Sequence, residues 1–165
     1  MEIIKLSTDW AKAEVLSAKM VGLLSMVVFL VALGFWQLGK TPMARALVWP
    51  LLVAGLFLVA VSAGLYFANE PRIAQFETAY KKDTASFIQS EITRTAKSKH
   101  DLALVFKVLP AIIVAAALLI MFSQTPLWRA IGVTTILLMT LLMLIDSNTD
   151  ARNTAYHQEL LTTKP

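Results

Sequence analysis

Cysteine is absent from this chain of 165 residues, which excludes disulfides, thiolate nucleophiles and cysteine-ligated clusters. Histidine occurs twice, at His100 and His157. Neither belongs to an H-x-x-x-H pair or a convergent carboxylate cluster, so no metal site is expected. Charged residues make up 16% of the chain, against about 25% in a typical soluble domain. Negative charge is missing over long stretches: no Asp or Glu lies between Glu14 and Glu70, or between Asp101 and Asp146. No nucleophile elbow, phosphate loop, dinucleotide fingerprint or kinase signature is present, and the serines have no partnering base. The chain reads as non-enzymatic and without a cofactor.

Apolar residues take the place of charge. They make up 57% of the chain, with a mean hydropathy of +0.65, and they concentrate in four runs, 20–38, 46–68, 102–122 and 127–145. Each is close to the length of about 20 residues that a helix needs to cross the hydrocarbon core. Only helices satisfy their own backbone within such a segment. The first run is too long for a signal-peptide core and has no persuasive small-residue cleavage site, so it reads as a retained span. The expected fold is all-α: a single membrane domain over 1–165 with four transmembrane helices.

Spans one and two are joined by Gly39-Lys40-Thr41-Pro42, and spans three and four by Ser123-Gln124-Thr125-Pro126. Both are tight hairpins. A polar segment, 69–101, separates the two pairs. An even number of spans puts both termini and this segment on one side. Eleven of the fifteen Lys and Arg fall there, three (Lys40, Arg45, Arg129) fall opposite, and Lys107 lies at the boundary. The positive-inside rule therefore places the termini and segment 69–101 in the cytoplasm. All eleven acids lie on that side or its boundary, so the outer face carries unopposed positive charge. The net charge of +4 reads as topology, and no nucleic-acid partner is expected.

The two halves share short motifs. Thr41-Pro42-Met43-Ala44-Arg45-Ala46 matches Thr125-Pro126-Leu127-Trp128-Arg129-Ala130, and Thr78-Ala79-Tyr80 matches Thr154-Ala155-Tyr156, each followed by an acid three residues on. This predicts a duplicated unit, about 9–83 and 97–160, consisting of two parallel hairpins. In each, Thr is placed to cap a helix and Pro to open it. Arg45 and Arg129 then sit one turn inside the outer surface, reaching lipid phosphate by snorkelling or, with Gln37 and Gln124, forming a site for an anionic or carbonyl-bearing partner.

On the cytoplasmic side, Asn69-Glu70-Pro71 is expected to end one helix and open an amphipathic one over 71–82, with Ile73, Phe76 and Tyr80 on one face. Asp83 is an N-cap for a helix that carries Phe87, Ile88, Ile92 and Ala96 and runs into span three. Ile3, Leu6, Trp10 and Ala13 predict an interfacial amphipathic helix at the front, and residues 150–161 a shorter one at the end. Lys107 has Asp101 and Asp146 as partners, in a boundary ion pair or, under a transport reading, a coupling site. Ala60-x-x-x-Gly64-x-x-x-Ala68 and Ala111-x-x-x-Ala115 suit close helix packing, within the chain or in a homo-oligomer. Pro50 and Pro110 place kinks in spans two and three.

In size, span count, tight outer hairpins and lack of catalytic residues, the chain resembles the small polytopic immunity proteins that protect bacteria from membrane-targeting toxins. The resemblance implies a non-catalytic inner-membrane protein, in contact with membrane lipids, that binds a membrane-active protein partner. The resemblance itself assigns no residues; the repeated turns offer Gln37, Thr41, Arg45, Gln124, Thr125 and Arg129 as the contacts for such a partner. Two other readings are a small transporter or oligomeric channel using Lys107, Asp101 and Asp146, and a regulatory subunit whose cytoplasmic helices dock a soluble complex.

Overall fold

A computed structural model describes residues 2–162, with side chains from residue 3 onward; Lys164, counted above, lies outside the described residues. The chain forms α1 (Glu2–Leu38), α2 (Pro42–Ala46), α3 (Val48–Lys82), α4 (Thr84–Phe122) and α5 (Pro126–Thr162). Four helices are long and apolar enough to cross a membrane. At 1.5 Å per residue, the 37 residues of α1 span about 55 Å. The hydrocarbon core takes up only about 30 Å of this, so each long helix projects well beyond it at the end carrying both termini.

The projecting parts are continuous with the spans. Residues 3–13 do not form a separate interfacial helix. They are the first turns of α1, with Ile3 and Trp10 buried and Lys5, Asp9 and Lys12 exposed. Nor does Asn69-Glu70-Pro71 end a helix, because Pro71 lies inside α3. Proline removes one backbone hydrogen bond there. Helicity persists because the following turns carry Ile73, Phe76 and Tyr80 into a shared core with Phe87, Ile88, Tyr156 and Leu160. The residues at 150–161 likewise continue α5 without a break. Asp83 does cap α4, its carboxylate accepting from the Ser86 N–H at 3.0 Å. Pro110 sits inside α4 without interrupting it. Pro50 has no N–H for the Ala46 carbonyl, and the helix is interrupted at Leu47, which separates α2 from α3.

Within the spans, packing is uneven. α1 and α3 pair closely: Ser62 Oγ donates to the Ala18 carbonyl at 2.8 Å, and a Cβ at Gly55 would lie 2.7 Å from the Phe29 ring. α4 and α5 pair at Gly132, where a Cβ would lie 2.5 Å from Ile120 Cγ1 and 3.0 Å from the Ala116 carbonyl. Leu138, Leu142 and Ile145 of α5 pack against the α1–α3 core of Val21, Val28, Ala32, Leu51 and Leu58. No α4 residue joins that core. The spans thus form a wedge of α1, α3 and α5, with α4 on the outer flank of α5.

That arrangement bears on the small residues. Ala60, Gly64 and Ala68 are exposed, as are Ala111 and Ala115. A Cβ added at Gly64 would meet nothing within 4 Å. Close approach inside the chain uses Gly55 and Gly132 instead, and both expected packing faces point outward.

Candidate functional site

At the turn end, Thr41 is held by its own helix: its Oγ1 accepts from the Ala44 N–H at 3.1 Å and caps α2. This fixes the first turn of α2 and swings Arg45 back, so that its Nε donates to the Gly39 carbonyl at 3.2 Å. Arg45 and Gln37 line one groove of about 680 Å³, together with Trp36, Trp49, Leu33 and Val48. The second turn is built differently. Thr125 N–H reaches Ser123 Oγ at 3.3 Å and its hydroxyl lies 3.2 Å from the same oxygen. Gln124, Thr125 and Arg129 are exposed and lie outside the groove. Of the six residues singled out at this end, the structure therefore brings Gln37 and Arg45 together, uses Thr41 to hold the turn, and leaves the other three apart. The tryptophans were not singled out. Three of four in the chain, Trp36, Trp49 and Trp128, lie at the turn end and are exposed, a placement typical of the aromatic belt at a membrane–water interface.

A second groove of about 480 Å³ runs between α3 and α5, with Val53, Phe57, Ile131 and Leu138 among its walls. Trp49 lines both grooves. Thr134, also on the wall, is buried with its Oγ1 unpartnered.

Lys107 and Asp101 are exposed and Asp146 is half-buried. The ion pairs among the described residues are Lys81–Glu77, Arg94–Glu91 and Arg152–Glu14. None joins Lys107 to either acid; Asp101 and Lys107, six residues apart on α4, are separated by about 120° around the helix axis.

The ionisable residues that do converge lie in the terminal bundle. Glu14, 2% exposed, takes two hydrogen bonds from Arg152 on one carboxylate oxygen, at 3.0 and 2.9 Å. Arg152 Nη2 also donates to Ser17 Oγ at 2.9 Å. One helix away, Glu91 receives both prongs of Arg94 at 2.9 and 2.8 Å, and Tyr156 Oη lies 3.0 Å from it and 2.7 Å from Ser7 Oγ. A carboxylate can only accept, so the tyrosine proton points to Glu91. The Arg94 guanidinium sits 4.1 Å from the centroid of Trp10, and the Trp10 ring stacks on Tyr156 at 5.5 Å. Burial and the Glu91 charge both raise the Tyr156 pKa above its ordinary value. Thr95 Oγ1 lies 2.6 Å from His157 Nδ1, while Asn153 Nδ2 donates to the Thr95 carbonyl at 3.0 Å.

The sequence alone does not reveal this network: Glu14, Glu91, Arg94 and Arg152 read there only as charges on one side, and Trp10, Tyr156 and His157 as unconnected residues. A signal was present: Glu14 falls on the same helical face as Ile3, Ser7 and Trp10, and Glu91 follows Phe87 by one turn. Its carboxylates are saturated by guanidinium and hydroxyl donors, an arrangement that holds helices in register. Among the described residues, no group of three or more His, Asp or Glu could hold a metal ion. No family model, curated protein or solved structure matches the chain.

Proposed function

We propose that this chain is a non-catalytic, multi-pass protein of a bacterial inner membrane that binds a membrane-inserted protein partner, as an immunity or accessory factor would bind a membrane-active toxin. In this reading the termini and the terminal bundle are cytoplasmic, and the two hairpins descend from one duplicated unit. The bundle is the fixed base, and the spans offer lateral surfaces to the partner.

The observation that carries the reading is the outward direction of both small-residue faces, Ala60-Gly64-Ala68 and Ala111-Ala115. Lipid tails are as apolar as leucine, so helices associate in a bilayer by close backbone approach, which small residues permit. The exposure of α4 supports the same view. Of its most apolar window 11% is buried, against 33% for α1, which leaves a span with most of its surface open to another helix. Arg45 and Arg129, with Gln37 and Gln124, supply polar contacts at the turn end.

Affinity capture from native membranes in mild detergent, with cross-linking and mass spectrometry, tests this. The expected result is one stoichiometric membrane protein cross-linked to spans two and three. Its recovery should be lost in a chain carrying Ala111→Leu with Ala115→Leu that still folds. Recovery of the chain alone, as a defined oligomer, overturns the reading in favour of a transporter or channel.

A further inference from the structure

We infer that the two neighbouring grooves that share Trp49 at the turn end form a binding site for one phospholipid with an anionic headgroup: Arg45 and Gln37 take the headgroup, and the cleft between α3 and α5 takes an acyl chain. The inference rests on the membrane-spanning reading of the helices; the partner reading rests on the small-residue faces of spans two and three, and shares only Arg45 and Gln37 with the lipid site.

The polar end is pre-arranged. Of the five N–H donors of a guanidinium, Arg45 spends its Nε–H on the Gly39 carbonyl, which aims the rest of the group at the groove and leaves the other donors for a ligand. A guanidinium fork suits phosphate oxygens. Nothing nearby competes for it, because no acid occurs between Glu14 and Glu70 or between Asp101 and Asp146. The same absence leaves a cationic headgroup without a counter-charge, so an anionic lipid is favoured over a zwitterionic one.

The apolar end matches a chain. Its wall runs along α3 from Trp49 to Phe57, about 12 Å of helix, comparable with the roughly 15 Å depth of one leaflet. Trp49 borders both grooves, so the headgroup groove and the chain cleft lie within one side chain of each other, a separation that the headgroup and acyl chain of one lipid span.

Native mass spectrometry of the full chain, released from nanodiscs holding equal phosphatidylglycerol and phosphatidylcholine of the same chains, tests the site. One phosphatidylglycerol should be retained, at least about tenfold over phosphatidylcholine, the discrimination expected of about 1.4 kcal/mol. Arg45→Gln should abolish the preference. Val53→Trp, at an exposed position on the cleft wall, should abolish retention by filling the chain's place. Lys40→Gln, which alters an exposed cation outside both grooves, should change neither. Equal retention of both lipids, or an unchanged preference in Arg45→Gln, would show ordinary boundary lipid and overturn the site. Unchanged retention in Val53→Trp would overturn the chain cleft. A failure of partner capture leaves these outcomes unaffected.

Discussion

Arg152 grips a single oxygen of Glu14 across 138 residues of chain, at 3.0 Å from Nε and 2.9 Å from Nη2. The pair ties α1, the first helix, to α5, the last, just beyond the apolar spans. Thr149, one turn before Arg152, lies 3.4 Å from the other carboxylate oxygen. Both oxygens of a nearly inaccessible carboxylate are therefore occupied by one neighbouring helix, which sets the register of the second hairpin against the first.

Removing the cation leaves that carboxylate stranded. Arg152→Ala is expected to destabilise the chain by about 3 kcal/mol, whereas replacing both partners, Glu14→Met with Arg152→Met, should recover most of the loss, because a buried ion pair exchanged for apolar packing is often close to neutral. Denaturation in mild detergent, read as a double-mutant cycle, checks this. A double variant no better than the sum of its single changes would show that the pair is not coupled.

Stability should fall at high pH, and Tyr156 should be one cause. Its folded pKa is raised by burial and by the Glu91 charge, while an unfolded tyrosine titrates near 10. The stabilisation is complete below that value. Above it the unfolded chain loses the proton first, so stability declines as pH rises. Tyr156→Phe should lose about 1–2 kcal/mol at pH 7 with its bonds to Glu91 and Ser7, yet show a shallower decline between pH 9 and 11. Parallel melting curves for the two proteins over that interval would contradict the assignment.

The glycines should separate into two kinds. Gly132→Ala drives a Cβ against Ile120 and the Ala116 backbone and should cost about 1–3 kcal/mol, as overpacking does. Gly64→Ala meets open space, and should be neutral or stabilising by up to about 1 kcal/mol through helix propensity. Melting temperatures of the two variants in the same detergent decide the matter. Equal losses would mean that Gly64 is packed in the free chain.

Features that depend on near neighbours are legible along the chain. Four apolar runs of membrane length, the Thr41-Pro42 turn and the Asp83 cap are each written within a few residues and found where local chemistry puts them, whereas Thr125, expected to cap the last helix, bonds Ser123 instead. The Asn69-Glu70-Pro71 break was equally legible, yet it is absent, because packing of Ile73, Phe76 and Tyr80 outweighs one lost backbone bond. Which charges become partners depends on how the helices assemble. Glu14 finds Arg152 and Tyr156 reaches Glu91 through the way the helix ends assemble, which no local spacing encodes. The same holds for the small residues: Gly55 and Gly132 bring helices together while Ala60, Gly64, Ala111 and Ala115 face outward, because a helix is apolar all round within a membrane and its pattern does not mark the side on which its neighbour lies.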